Sequence, residues 1–432
     1  MARSEKIKIG IVGGGIQGLA LAYFLSQKSG YAITIFERQA VLGGLLGLLE
    51  VNGVGLEGFY HHWFTSHSDI IDLAKELGLG EKLIYRKNLI GLFYQDRIYS
   101  FTTARDLMSF SPVSLWGRVR LGLSVLRLRL SKDYRRLESV TAVDWLVKHC
   151  GREAYQIVWE PLLEGKFGDQ KGKISMAWFW GRVHERGNSP FLVYPKGGFR
   201  VLIEAMSKRI IDRGGEIRTG FPIESIESRD KNVFIKTAAG DHCFDKVFVT
   251  TPVNVFLRLV KGLPQEYVQR LNGIKYRGAH VTVLILKKSL LPQGYYWLNV
   301  NDRKLPLLAI VEHTNLIPKE GYGNRTIVYL GNYPDPDDQI MSMSDQEVIE
   351  LYLKELPRIN PDFNRDWLEE YYVFKDKAAQ PIVDIFYRQS IPSCETPIGS
   401  LYLVTMAQIY PWDRGTNNAV KQAKDIIQQL KL

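Results

Sequence analysis

Cysteine is nearly absent from this chain. The three present in 432 residues, Cys150, Cys243 and Cys394, stand far apart and match no metal-ligand spacing. That excludes a disulfide framework, points to a reducing compartment and leaves no metal site to expect. Long apolar runs are missing too, and none approaches the roughly 20 residues needed to cross a bilayer. Met1 to Gly10 passes from charged residues straight into Ile7, Ile9 and Ile11, without the long apolar stretch and small-residue cleavage site of a secretory leader. The expectation is a soluble, cytoplasmic chain. No internal repeat, low-complexity linker, zinc spacing or RNP-type motif occurs, so nucleic acid is not an expected partner.

What is present is an ordinary hydrophobic content of 45% and an excess of base over acid, a formal charge of +10. The length suits two or three domains, and the charge favours an anionic partner: a phosphorylated cofactor or substrate, or an anionic membrane surface.

The opening reads strand, glycine turn, helix, strand: Ile7 to Val12, Gly13 to Gly18, an apolar helix through Leu25, then Ala32 to Phe36. This is the βαβ order of a parallel sheet. Gly13, Gly15 and Gly18 satisfy G-x-G-x-x-G where the physics requires it, between strand and helix. The first permits the tight turn, the second admits a diphosphate close to backbone, and the third lets helix and strand pack closely. The helix N-terminus offers its free N–H groups to phosphate. Glu37, ending the second strand, suits both hydroxyls of an adenosine ribose and disfavours a 2′-phosphate, which leaves FAD or NAD.

The continuation bears on that choice. Glu37-Arg38 followed by Gly43-Gly44 resembles the extended fingerprint of the FAD-dependent amine oxidase superfamily, which includes amine oxidases, protoporphyrinogen oxidase and phytoene desaturase. Further stretches resemble that family along the whole chain: Tyr194-Pro195-Lys196-Gly197-Gly198, Pro222-Ile223-Glu224, Thr250-Thr251-Pro252, and Tyr410-Pro411-Trp412-Asp413-Arg414-Gly415-Thr416-Asn417-Asn418. The protoporphyrinogen oxidase-like and phytoene desaturase-like branch is the nearest in texture. The resemblance implies FAD as cofactor and hydride transfer from an organic substrate to the flavin. It implies cofactor contacts from Gly13, Gly15, Gly18, Glu37, Arg38, Gly43, Gly44, the backbone at Ile223, Thr251, Asp413, Thr416 and Asn417. A flavin-dependent isomerase acting on a phosphorylated sugar or lipid, and a non-catalytic dinucleotide-binding protein, are the alternatives.

The fold class expected is α/β: a Rossmann-like FAD-binding domain with a parallel sheet, interleaved with an α+β substrate domain of mixed or antiparallel sheet and helices. Residues 1–70, 194–252 and 394–432 are assigned to the first, and 71–193 and 253–393 to the second. At the reacting end the stretch Glu57-Gly58-Phe59-Tyr60-His61-His62-Trp63 supplies His61 and His62 as candidates to polarise a substrate or shuttle a proton near neutral pH. Tyr60, Tyr296, Trp297 and His313, with Glu312, are candidate substrate contacts, the aromatics equally suited to core packing. Trp178, Trp180, Arg182, His184 and Arg186 fall at alternate positions, fit for a cavity holding an anionic group or for a solvated edge. Arginines 118, 120, 127, 129, 135 and 136 and Lys132 are threaded through leucines, which reads either as a solvated helix face or as peripheral contact with an acidic bilayer. The small-molecule substrate is accordingly expected to be anionic or lipid-like.

Overall fold

The computed structural model describes residues 6–187 and 189–432. Its organising element is a five-stranded sheet in the order Glu216–Arg218, Tyr31–Phe36, Ile7–Val12, Lys246–Val249, Leu401–Leu403, every neighbour parallel. The central strand buries Ile9 to Val12, as a strand covered on both faces must. One face carries helices Ile16–Ser26, Arg200–Asp212 and Thr416–Gln429. The first is buried almost all round, because the other two pack against it while it packs on the sheet. Among the described residues the second face carries no crossover helix of that kind. An antiparallel meander, Ile223–Arg229, Asn232–Thr237 and Gly240–Phe244, lies there, with Ile235 and Phe244 packed on Val12, Val247 and Val249.

A second, seven-stranded sheet is mixed: Leu368–Pro381, Tyr276–Leu286, Thr326–Asn332, Ala309–Glu312, Trp297–Val300, Ile90–Tyr94, Arg97–Ser100. Its one parallel pair joins Trp297–Val300 to Ile90–Tyr94. The period-two alternation of a strand divides Tyr276–Leu286 cleanly. Val281, Val283 and Ile285 enter the core shared with the parallel-sheet half, while Leu284 and Leu286 pack on the opposite side beneath helix Asp345–Leu353. Helices Leu115–Leu130, Ala142–Cys150, Glu160–Phe167 and Met176–Glu185 form a separate lobe with its own core. The strand Phe191–Pro195 pairs with both Trp63–Phe64 and Leu83–Lys87, so the chain stays hydrogen-bonded across the boundary placed at residue 194.

The elements read from sequence recur within a residue or two in most places. The apolar run from Leu401 to Met406 is a shorter strand than its composition suggests. It stops at Leu403 because Thr405 and Gln408 close a capping box that turns the chain into a short 3-10 helix.

Candidate functional site

At the carboxyl end of the parallel sheet the chain leaves Val12 through Gly13, whose φ of 114° is open to glycine. The Thr250 hydroxyl donates to the carbonyls of Val12 and Gly13, both at 3.1 Å, and locks the turn. A Cβ on Gly18 would stand 2.0 Å from the Gly13 carbonyl oxygen, so helix and turn meet only with glycine there. Gly15 differs: nothing lies nearer its ideal Cβ than the Gly44 Cα at 3.9 Å. Gly43 donates its N–H to the Gly14 carbonyl at 2.9 Å, drawing the second glycine pair beside the first. The Ile16–Ser26 helix starts at Gly15 with no side-chain cap and no acid in its first turn. Its first N–H groups are therefore left without a side-chain acceptor, as an anion-binding helix terminus requires.

Glu37 sits against that turn. One carboxylate oxygen accepts from Gly14 N at 2.7 Å and the other from Gln39 N at 2.8 Å, which fixes the carboxylate yet leaves a lone pair on each oxygen. Phe221 N donates to the Glu37 carbonyl at 2.8 Å, which brings the start of the meander, including Ile223, alongside. Arg38 is exposed. The Thr251 hydroxyl makes only a long 3.4 Å contact with Pro252, so the neighbouring Thr250 does the structural work at this strand end.

The last motif supplies a second helix of the same kind. Thr416–Gln429 begins at Gly415, again with no side-chain cap and no acid in the first turn. The side chains picked out there are engaged with protein. Thr416 Oγ1 accepts from Trp63 Nε1 at 2.9 Å, Asn417 Oδ1 from Ile70 N at 3.1 Å, and the Asp413 carboxylate lies 3.2 Å from Lys166 Nζ and 2.8 Å from an Arg182 guanidinium nitrogen. Within the turn Arg414 N donates to Asp413 Oδ1 at 3.1 Å and Asn418 Nδ2 to the Asp413 carbonyl at 2.8 Å, so what is left without a partner is the Arg414 Nε. These features fit a dinucleotide: two uncapped helix starts, a glycine whose missing side chain leaves space, and a carboxylate held at a strand end.

Between the two halves lies a narrow cavity of about 40 Å³ lined by Leu45, Phe59, Tyr60, His61, Val281, Tyr333 and Arg414, among others. Tyr60 reaches it because Gly331 has no side chain; a Cβ there would stand 2.5 Å from the Tyr60 ring. The Tyr60 ring also meets Trp297 edge-on at 5.2 Å. Behind Tyr333 are Lys166, Arg182 and Arg414, with Asp413 between them. Lys166 Nζ lies 5.0 Å from the Tyr333 ring centroid and the Arg414 guanidinium 5.5 Å from it. Burial raises the Asp413 carboxyl, but Lys166, Arg182 and Arg414 outweigh that and hold it well below its ordinary value. Burial lowers the Lys166 ammonium, with Asp413 opposing. Burial likewise raises the Tyr333 hydroxyl, and here Lys166 and Arg414 prevail and bring it below its usual range.

A glycine turn between strand and helix, an uncapped helix start and a carboxylate held at the next strand end suit a dinucleotide cofactor, and the matches to known proteins agree. The model of the family described as flavin containing amine oxidoreductase matches residues 16–424. The chain belongs to that family. It is an FAD-dependent oxidoreductase. It is 24% identical over 408 residues to the chloroplastic protoporphyrinogen oxidase of Oryza sativa subsp. japonica, covering 81% of this chain and 74% of the relative. It is 21% identical over 458 residues to the 15-cis-phytoene desaturase of Capsicum annuum, covering 93% and 73%. A crystal structure of an oxidoreductase from Methanosarcina mazei superposes with a TM-score of 0.78 at 17% identity, over 98% of this chain and 100% of that one.

In this flavoenzyme the two adjacent histidines do not share a role. His61 lines the cavity, its Nδ1 bonded to the Phe59 carbonyl, whereas His62 Nδ1 meets the Tyr296 hydroxyl at 3.1 Å. Burial lowers both, to about 4 and about 3. Both are neutral at pH 7, so neither is poised to shuttle protons there, and the reason is desolvation. His313 lies outside the cavity; its Nε2 meets the Tyr322 hydroxyl at 3.0 Å and its ring packs on Tyr194. Glu312 accepts from Ser289 Oγ and Leu291 N, both at 2.6 Å, which makes it a staple for the Leu290–Leu291 turn rather than a substrate contact.

The alternate-position cluster lies on the Met176–Glu185 helix, where positions four apart share a face. Trp178 and Arg182 face Lys166 and Asp413, while Trp180 and His184 stack on each other at 4.0 Å. Lys166 and Tyr333 were invisible to sequence reading, since a lysine in a helix reads as solvated. Glu57, at the start of the histidine stretch, is fully buried, accepts from Tyr194 Oη at 2.7 Å and from Phe199 N, and burial pushes it up to about 7 despite those bonds.

Proposed function

We propose that this flavoenzyme oxidises a small amphiphilic substrate whose anionic group is held by Lys166, Arg182 and Arg414. The carrying observation is charge balance. Three cations converge near the cavity; among the described residues Asp413 forms salt bridges with Lys166 and Arg182, and Asp376 is a second carboxylate that feels the charge of Arg414, which leaves the cluster net positive. Arg414 makes no salt bridge among those residues and its Nε has no partner; the wholly buried Trp178 likewise has an indole N–H without an acceptor. Unpaired buried donors beside excess positive charge are costly unless a ligand satisfies them. The apolar remainder of the substrate would lie against Tyr60, Trp297 and Phe59.

When bound, the flavin accepts two electrons and a proton equivalent as hydride from a substrate C–H. The Gly13–Gly18 turn with Gly43 and Gly44 would embrace the diphosphate, Glu37 the adenosine ribose, and the backbone at Ile223 the adenine, with Arg38 and Thr251 alongside. The turn from Asp413 to Asn417 would face the flavin end. His61, neutral, orients by hydrogen bonding, Tyr296 holds His62 in place, and the Tyr333 hydroxyl is the group best placed to hold a proton. Residues 1–70, 194–252 and 394–432 would carry the cofactor and 71–193 and 253–393 the substrate, a division supported by the separate parallel and mixed sheets.

The test uses octanoate and its methyl ester as probes of the flavin-loaded protein, read by perturbation of the flavin absorbance. Octanoate is expected to bind at least about tenfold more tightly, with Arg414→Met, compared at saturating flavin, removing the preference. Equal affinity of the two probes for the wild type overturns the assignment.

A further inference from the structure

Lys166 reaches the cavity from an irregular helix. Arg152–Ala154, Tyr155–Trp159 and Glu160–Phe167 run on without a break, but the middle turn is π-helical, with Glu160 N donating to the Tyr155 carbonyl five residues back. Such a turn holds one residue more than an α turn and shifts the phase of everything after it by about 100°. On a regular helix the buried residues Ala154, Tyr155, Leu163, Lys166 and Phe167 would spread over about 220° of arc; with the extra residue they gather within about 120°. The π turn is therefore what brings Lys166 round to the inward face. Its cause is local in sequence. Pro161 has no N–H to give, so the Ile157 carbonyl four residues before it has no α-helical donor. Asn301 supplies one from the mixed sheet. It is 6% exposed, and its Nδ2 donates to the Ile157 carbonyl at 2.7 Å and to that of Val158 at 3.2 Å.

The chain after Asn301 grips the same helix twice more. The Arg303 guanidinium lies 2.6 Å from the Glu160 carboxylate and 3.2 Å from that of Glu164, and Leu308 rests so closely on Gly165 that a Cβ there would stand 2.4 Å from its Cδ1. The far end of this segment is tied to the cavity. Leu308 N donates to the Gly331 carbonyl at 3.0 Å, Asn332 Nδ2 to the Pro306 carbonyl at 3.4 Å, and Asn332 Oδ1 accepts from Tyr333 N at 2.8 Å. We propose that Asn301 is a positioning residue: by holding the π turn open it sets Lys166 against Tyr333 and Asp413, with Arg303 and Leu308 as further grips of one brace. Neither Asn301 nor Arg303 is among the residues lining the cavity, so both act through Lys166. This role rests on Lys166 belonging to the reacting end as proposed above. It is read without substrate, so that the two assignments fail separately.

Tyr333 reports where Lys166 stands. Burial raises its hydroxyl, Lys166 and Arg414 lower it, Asp413 opposes them, and the hydrogen bond with Tyr60 lowers it again. Neutral His61 lines the same cavity, and the Arg277 guanidinium donates to the Tyr333 carbonyl at 3.0 Å. The experiment follows tyrosinate absorbance of the flavin-loaded protein against pH, with Tyr333→Phe identifying the hydroxyl concerned. In the wild type Tyr333 is expected to titrate below the other tyrosines. Asn301→Ala should move it up by at least about one pH unit. Arg303→Gln, at a side chain 53% exposed and so tolerant of change, should move it the same way by less. Lys304→Gln removes the same charge next door and should leave it in place. A Tyr333 titration unmoved in every folded brace variant overturns the role, as does an equal shift in Lys304→Gln. So does a wild type in which Tyr333→Phe removes no early titration. A moved titration beside equal binding of octanoate and its ester upholds the brace and overturns the substrate assignment alone.

Discussion

Gly15 and Gly18 carry the same letter three residues apart, yet the space around them separates two demands. At Gly18 an added methyl would collide with the Gly13 carbonyl at 2.0 Å, a backbone atom that cannot swing aside; at Gly15 it would meet nothing closer than 3.9 Å. Gly18→Ala is therefore expected to destabilise the fold itself, by roughly 1–3 kcal/mol, and to lower flavin affinity with it. Gly15→Ala should leave the flavin-free protein as stable as the wild type while weakening flavin binding at least about tenfold, because the methyl occupies space reserved for the ligand. Urea unfolding of the apoprotein and flavin titration separate the two; equal loss of apoprotein stability in both variants would falsify the distinction. These positions were legible from spacing alone. Lys166 and Tyr333 were not, because only the fold shows that a helical lysine and a residue just past a strand end meet at one cavity.

Among the elements, helix Arg200–Asp212 is unusual in its start. Phe199 at its N-cap has no side-chain acceptor to offer, and the acceptor comes from Glu57 at the end of strand Val54–Glu57. A carboxylate at a helix N-terminus is favourable, but full burial prevails and places this one near 7 instead of 4.5. The sign follows from linkage. Between 4.5 and about 7 the unfolded chain has lost a proton that the folded one keeps, so this group's contribution falls as pH rises through that window, by up to about 3 kcal/mol. Glu57→Gln keeps an acceptor for Phe199 and cannot ionise; its stability in urea should gain steadily on the wild type's as pH rises from 4.5 to about 7, and a constant difference between the two would sink the idea. Helices and strands of this kind were largely readable from periodicity, since burial follows it. Two features were not: the meander covering one face of the parallel sheet, and the capping box that ends Leu401–Leu403 early, where side-chain hydrogen bonding overrides composition.

For the whole molecule the buried histidines act in concert. His280 is lowered by burial to about 4 and His313 to about 3, alongside His61 and His62. Below the ordinary value of 6.5 the unfolded chain binds protons that these sites refuse, so stability must decline as pH falls from 6.5 toward 4. The thermal midpoint should drop steeply over that interval, and His280→Gln should remove part of the slope; a midpoint indifferent to acid would contradict the burial of these rings. The order of strands has a different consequence, one of timing. Ile7–Val12 finds a neighbour in Tyr31–Phe36 early, but its other flank waits for Lys246–Val249, and the sheet closes only with Leu401–Leu403. At roughly 5–20 residues per second on the ribosome, the nascent glycine turn stays half-built for tens of seconds. Flavin loading thus waits for Leu401–Leu403 to be synthesised, and the growing chain must be shielded from aggregation until then.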